Sequence, residues 1–153
     1  MILHYSHQTV GIMAEIDMLK LAGRKALSKL NNDEDLRHFF LGAVAKREDG
    51  TIVHSRNGSA PAPSPDAHAE ARVCRKAGKG ATVYVARIRR DTGEFGMARP
   101  CIRCQEKMKN FGVKKCYFTV SSHEIGIIVF DNSLKEKTKS VKRLDKKNAK
   151  SRR

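Results

Sequence analysis

The alternation of apolar and polar residues predicts an amphipathic helix from residue 11 to about residue 30. Apolar residues recur there three or four positions apart, which places them on one face, with Lys and Arg on the other. They include Ile12, Ile16, Leu19, Ala26 and Leu30. The polar run at 31–33 ends the predicted helix.

Five short runs rich in β-branched and aromatic residues predict strands. They span residues 39–45, 51–55, 81–88, 115–120 and 125–130. Asp49-Gly50, between the first two runs, is a strong hairpin signal, so these strands should pair antiparallel. Only residues 121–124 separate the last two runs, and a parallel crossover needs about a dozen residues. The fourth and fifth strands are therefore also predicted to be antiparallel.

Two further helices are predicted on either side of the third strand. Asp66 can cap the first, over residues 67–77, and Gly78 follows its end. Pro100 opens the second, which runs to about residue 111 before Gly112. The Pro-rich segment 57–65 between the second strand and the first of these helices must be a loop. Together the elements predict an α/β fold of three layers, α/β/α, with a five-stranded mixed sheet.

The chain of 153 residues is long enough for one domain, which we place at residues 1–130, followed by a basic, flexible or frayed tail at 131–153. The net charge is +15, of which the tail carries +7 from ten basic and three acidic residues. This charge favours contact with polyanions or phosphorylated molecules. No apolar run approaches the roughly 20 residues of a membrane span, and the N-terminus resembles no secretory signal, so we expect a cytoplasmic location.

Two motifs could carry chemistry: His68-Ala69-Glu70, and Pro100-Cys101-x-x-Cys104 at a predicted helix start. Two thiols on a first helical turn point to one side and suit a tetrahedral zinc ion, for which a histidine would be the third ligand. Three protein ligands leave one position for water, which is typical of catalytic zinc. Glu70 would then lie beside that water. Cys74 and Cys116 are expected to be buried small hydrophobes rather than ligands.

These motifs and the order of elements over residues 10–130 resemble the zinc-dependent cytidine and deoxycytidylate deaminase superfamily, which includes the tRNA adenosine deaminases. The resemblance implies that His68, Cys101 and Cys104 bind Zn²⁺, and that Glu70 shuttles a proton while zinc-bound hydroxide attacks C4 of cytosine. Such an enzyme is a hydrolase acting on carbon–nitrogen bonds of cyclic amidines. The resemblance also suggests substrate contacts for Asn57 and for the backbone of Ala69.

The substrate stays open at this point, because two markers of the superfamily's branches conflict. His68 as first ligand resembles the deoxycytidylate, tRNA adenosine and polynucleotide cytosine deaminases, whereas an antiparallel last strand pair resembles the free-nucleoside and toxin-type branches. Residues 58–60 favour cytosine over adenine. We therefore expect deamination of cytosine to uracil in a nucleotide or in single-stranded DNA or RNA. The alternatives are an adenosine deaminase acting on RNA and an inactive, zinc-stabilised nucleic-acid-binding module.

Two expectations about partners accompany this reading. The basic tail could contact a polyanion, since ten of its residues are Lys or Arg. The chain could also form a homo-oligomer.

Glu70 argues against the inactive module, because a purely structural zinc site has no need of a carboxylate beside the metal.

Overall fold

A computed structural model describes residues 2–27, 39–56, 69–130 and 135–144, with side chains described from residue 14 onward apart from that of residue 56. The helices are α1 (Ile2–Leu27), α2 (Ala69–Ala77) and α3 (Ile102–Asn110). The strands are β1 (Phe39–Lys46), β2 (Ile52–Arg56), β3 (Thr82–Arg89), β4 (Phe95–Gly96), β5 (Lys115–Ser121), β6 (Glu124–Val129) and β7 (Lys135–Ser140). None of the described helices combines the length and apolar character needed to cross a membrane.

The strands form one mixed sheet in the order β2-β1-β3-β5-β6-β7, with the short β4 paired to β3. Strands β3 and β5 run parallel, joined through α3, while β5 and β6 pair antiparallel as the short connection predicts. The α/β fold with a mixed sheet is therefore confirmed. The described residues form seven strands instead of the five that were predicted.

Two cores lie on opposite faces of the sheet. On one face α1 packs over β1 and β3, around Leu19, Val44 and Ile88. On the other face α2 and α3 cover a second core that includes Val73, Met108 and the fully buried Phe118. The three predicted layers follow from this arrangement, because residues that alternate along each strand enter different cores.

The turn chemistry read from the sequence is confirmed where the structure describes it. In the β1–β2 hairpin, Gly50 adopts a positive φ of 92°, and Asp49 accepts hydrogen bonds from the backbone and hydroxyl of Thr51. Gly78 and Gly112 follow α2 and α3 with φ of 82° and 84°, a backbone conformation that glycine adopts without strain.

Three elements differ from the sequence predictions. Helix α1 begins at Ile2 instead of near residue 11, and the two-residue strand β4 lies where no element was predicted. The third difference is β7, which pairs along all of β6 where a disordered or frayed helical tail was expected. The expectation of a flexible tail is therefore wrong for residues 135–144, and the sheet extends past residue 130.

Strand β7 could not be predicted from the local sequence. All six of its residues are exposed, so the strand shows no alternation of apolar and polar residues. Its backbone pairs with the edge of β6, and Leu144 just beyond it is buried in the α1-side core. Charged side chains suit an edge strand, since they discourage pairing with another chain. The last nine residues, 145–153, lie outside the described residues.

Candidate metal centre

The motif residues come together at the starts of α2 and α3. Each of these helices runs back along the parallel strands β3 and β5, so both begin at the same edge of the sheet. Glu70 is the second residue of α2 and is buried, at 4% exposure. Cys101 is the N-cap residue of α3, and Cys104 follows one turn later and is fully buried. The side chains of the two cysteines lie within hydrogen-bonding reach of each other.

The backbone holds this helix start firmly. Cys101 has extended dihedral angles, φ −68° and ψ 166°, and its carbonyl accepts the first helical hydrogen bond from the Gln105 amide at 2.9 Å. The buried side chain of Gln105 also donates its Nε2 hydrogen to the carbonyl of Pro100 at 2.9 Å. The residue just before the Cys-x-x-Cys motif is thus tied to the helix that the motif begins.

Thr119 of β5 ties down the segment that leads from β4 into the motif. Its buried hydroxyl donates to the carbonyl of Gly96 at 2.7 Å and accepts from the backbone amide of Arg87 at 3.2 Å. Its own carbonyl accepts a hydrogen bond from the amide of Ala98 at 2.8 Å. These bonds secure the path of residues 96–98 between the sheet and Pro100.

Burial and the nearby carboxylate disfavour thiolates among the cysteines beside Glu70. Burial first, and then the charge of Glu70, raise the pKa of Cys74 to about 12 and raise the pKa values of Cys104 and Cys116 well above the usual range. Cys74 and Cys116 are fully buried, as expected for small hydrophobic residues. The chain by itself therefore keeps these thiols protonated.

The residues at the two helix starts fit a zinc ion. A divalent cation reverses the preference for the protonated thiol, because coordinated thiols lose their protons. Two adjacent cysteine sulfurs are a donor pair that zinc favours. Glu70 is engaged by other contacts, yet its Oε1 atom is buried and accepts no hydrogen bond from any residue that the structure describes. A carboxylate oxygen in this position suits water at a neighbouring metal.

Of the predicted site residues, the structure brings together Glu70, Cys101 and Cys104, with Ala69 buried at the start of α2. His68 and Asn57, the third predicted ligand and the predicted substrate contact, lie outside the described residues. Within the described ranges no three His, Cys, Asp or Glu side chains form a group that could hold a metal. The two cysteines are accordingly the described part of the predicted ligand set.

A cavity of about 320 Å³ opens beside this centre. Glu70 and Cys101 lie on its wall, together with side chains from β1, the end of β3 and the segment before α3. These further lining residues are Phe39, Phe40, Leu41, Arg87, Met97, Ala98 and Arg99. A volume of this order is at the lower end for small-molecule sites, which suits a ligand the size of a nucleobase with its sugar.

Several residues that support or border this site were not predicted from the sequence. Gln105 and Thr119 support the motif through backbone hydrogen bonds that join distant segments. Arg99 forms a two-pronged ion pair with Glu136 of β7, at 2.7 and 2.9 Å. That pair could not be foreseen, because it depends on a strand that the sequence did not predict.

Comparison of the sequence with family models identifies the family of this chain. Residues 18–120 match the family described as the cytidine and deoxycytidylate deaminase zinc-binding region. Cytidine deaminase from Mycobacterium tuberculosis and a single-residue variant of it are similar in structure, each with a TM-score of 0.43 and 19% identity, over 67% of this chain and 81% or 80% of theirs. Curated proteins give no significant match. Since the family match covers two thirds of the sequence and includes both motifs, the chain belongs to the zinc-dependent cytidine and deoxycytidylate deaminase family.

Proposed function

We propose that this protein hydrolytically deaminates cytosine to uracil, releasing ammonia, in a nucleotide or a single-stranded nucleic acid. The observation that carries this proposal is that the buried Glu70 carboxylate and Cys101 line one cavity, while the buried Cys104 interacts with both of them. A structural zinc site needs sulfur ligands but no buried acid beside an open cavity. The family supports zinc-dependent deamination in general. The loop residues 58–60 favour cytosine over adenine.

Each residue then has a distinct role. Cys101 and Cys104, with His68 completing the set, would hold a zinc ion, which supplies Lewis-acid activation of water at neutral pH. Glu70 accepts a proton from the attacking water and delivers it to the pyrimidine ring nitrogen, where it stays in the product. It then transfers the second proton, from the hydroxyl added at C4, to the amine, which leaves as ammonia as the C4 carbonyl forms. Its burial keeps the proton transfer away from bulk solvent.

Substrate binding is assigned to the residues around the acid. The backbone of Ala69 and the side chain of Asn57 are proposed to contact the base or sugar. A homo-oligomer and a cytoplasmic location remain part of this proposal, in line with the sequence.

The basic C-terminal region is proposed to contact the phosphates of a polyanion. The structure places Lys135, Lys137 and Lys139 on one exposed edge strand. Because alternate residues of a strand share a face, these three lysines form a row. A row of cations along an open strand suits an extended anionic chain better than a single small anion.

The deciding experiment replaces Glu70 by glutamine in the zinc-loaded protein. Ammonia release and uracil formation are measured on cytidine, deoxycytidine, their monophosphates, single-stranded DNA and RNA, and adenosine-containing RNA. We expect Glu70→Gln to lower kcat by about 10²- to 10⁴-fold, the usual contribution of a proton-transfer group. Zinc content, measured by elemental analysis, should not change. Glu106→Gln is the matched control, because Glu106 is exposed on α3.

The cysteines give a separate check on the same proposal. Cys104→Ser should lose both zinc and stability, since metal binding is coupled to folding. Turnover that persists in Glu70→Gln would remove Glu70 from the mechanism. A wild-type protein that holds zinc and binds single strands, but deaminates none of these substrates, would instead be the inactive nucleic-acid-binding module.

A further inference from the structure

Among the described residues, two arginines line the cavity beside Glu70, and their charges are compensated differently. Arg99 is paired with Glu136 through two hydrogen bonds of 2.7 and 2.9 Å. This contact also lowers the pKa of Glu136, so the carboxylate is ionised at neutral pH. The positive charge of Arg99 is therefore already matched by a negative charge of the protein.

Arg87 is held in place without a negative partner among the residues that the structure describes. Its guanidinium lies 4.5 Å from the centre of the Phe39 ring and donates to the carbonyl of Met97 at 3.3 Å. No carboxylate in the described part of the chain forms an ion pair with it. By contrast Arg89, two residues further along β3, pairs with Asp91 at 2.7 Å. A ring face and a carbonyl orient a guanidinium while leaving its full charge.

Arg87 lies on the same face of the sheet as the proposed site. Val83 and Val85 enter the core under α2 and α3, and Arg87 continues that alternation at the end of β3. Its neighbours Phe39 and Met97 are 39% and 49% exposed, so this side of the cavity is open to solvent. The cavity thus has a buried carboxylate on one part of its wall and, near its opening, an oriented cation that no carboxylate of the described ranges neutralises.

From this arrangement we propose that Arg87 binds a phosphate group attached to the sugar of the substrate. Rigid guanidinium donors match phosphate oxygens in geometry and charge, which a flexible ammonium does less well. The site then selects phosphorylated cytosine nucleosides over unphosphorylated ones. This inference rests on the proposed function. The phosphate can belong to a mononucleotide or to a strand, and both present the same oxygens.

The test measures ligand binding to the zinc-loaded full chain by calorimetry, in the Glu70→Gln background so that ligands are not consumed. The ligands are cytidine, cytidine 5′-monophosphate and a dinucleotide whose cytidine follows the phosphodiester. The monophosphate should bind at least about tenfold more tightly than cytidine. Arg87→Gln should remove this preference and leave cytidine binding unchanged. Arg89→Gln, the same charge change on the same strand, should preserve it.

The ligands distinguish the two sources of phosphate. If Arg87→Gln weakens binding of the monophosphate alone, the site takes a mononucleotide. If it weakens binding of the dinucleotide as well, the site takes a strand. Arg87→Lys serves as a second variant, which keeps the charge but not the planar fork and should retain only part of the preference. Equal weakening of cytidine and monophosphate binding, or no preference in the unsubstituted Arg87 protein, would overturn the inference.

Deamination assays on the protein with Glu70 intact separate this inference from the proposed function. Turnover of cytosine substrates without a preference for phosphorylated ones would contradict only the role of Arg87. Tighter binding of phosphorylated ligands that depends on Arg87, without any deamination, would contradict only the catalytic proposal. A protein that neither binds nor deaminates any of these ligands contradicts both.

Discussion

Among individual residues, two tyrosines show how burial alters side-chain chemistry away from the site. Tyr84 and Tyr117 stack with ring centroids 5.2 Å apart beneath α1. The Tyr84 hydroxyl donates to the Glu15 carboxylate. Burial first, and then the charge and hydrogen bonding of Glu15, raise the pKa of Tyr117 from 10 to about 12. The folded protein therefore holds the Tyr117 proton more tightly than the unfolded chain does.

This difference in the Tyr117 pKa predicts a loss of stability in alkaline solution. The unfolded chain releases the proton near pH 10, whereas the folded protein keeps it to about pH 12. The contribution to the unfolding free energy is thus complete below pH 10 and is lost between pH 10 and pH 12. Urea unfolding at pH 9 and pH 11 should show a smaller fall for Tyr117→Phe than for the wild type. Lysine titration cancels in this comparison, and an equal fall in both proteins would contradict the prediction.

Between elements, the contact of α1 with β1 depends on small residues. Gly42 of β1 faces α1, and an added Cβ there would lie 2.2 Å from the carbonyl oxygen of Ala22 and 2.6 Å from the amide nitrogen of Ala26. Both neighbours are backbone atoms of a helix, which cannot move locally as the end of a side chain can. The close approach of helix and strand therefore requires glycine at this position.

Gly42→Ala should accordingly destabilise the protein by about 3 kcal/mol or more, at or beyond the upper end for overpacking a core. Urea unfolding measures the change directly. Gly96→Ala is a matched control within a strand, because its nearest neighbour would be the Arg87 Cδ atom at an ordinary 3.9 Å. The control should change the unfolding free energy by less than about 1 kcal/mol. Similar losses in the two variants would show that α1 can shift away from β1.

For the whole molecule, the structure changes how the role of the basic C-terminal region must be tested. Deleting residues 131–153 would remove β7 from the sheet and Leu144 from the core. Any loss of binding would then be mixed with a loss of folding. Lys135, Lys137 and Lys139 are all exposed, so they can be replaced without disturbing the core.

We predict that replacing these three lysines by glutamine weakens binding to single-stranded DNA and reduces its salt dependence. The slope of log K against log salt should fall in magnitude by up to about 0.7 for each lysine that contacts a phosphate. The control replaces three exposed lysines elsewhere, Lys46, Lys79 and Lys109, for the same change in net charge. Binding titrations at several salt concentrations give the slopes. An equal effect of both triple variants would assign the binding to net charge alone.

The amino-acid sequence determined those features that depend on neighbouring residues. Asp49-Gly50 specified the first hairpin, and Gly112 the end of α3, because turn conformations depend on a few adjacent residues. Apolar runs located five of the seven strands in the described ranges, and the short connection at 121–124 specified that β5 and β6 are antiparallel. The motifs pointed to both cysteines and Glu70 as candidates, and the three-residue spacing of the cysteines reflects the geometry of one helical turn.

Only the tertiary structure decided the features that join distant segments. Strand β7 has no apolar pattern of its own and exists because β6 offers an edge for pairing. The pairing of Arg99 with Glu136 spans 37 residues, and the placement of Arg87 on Phe39 needs two adjacent strands in register. Local periodicity cannot encode such contacts, because each depends on which surfaces the folded chain brings together. The sequence therefore determined which reactive side chains the candidate metal centre can contain. The fold decided which of the charged side chains around it are paired with one another.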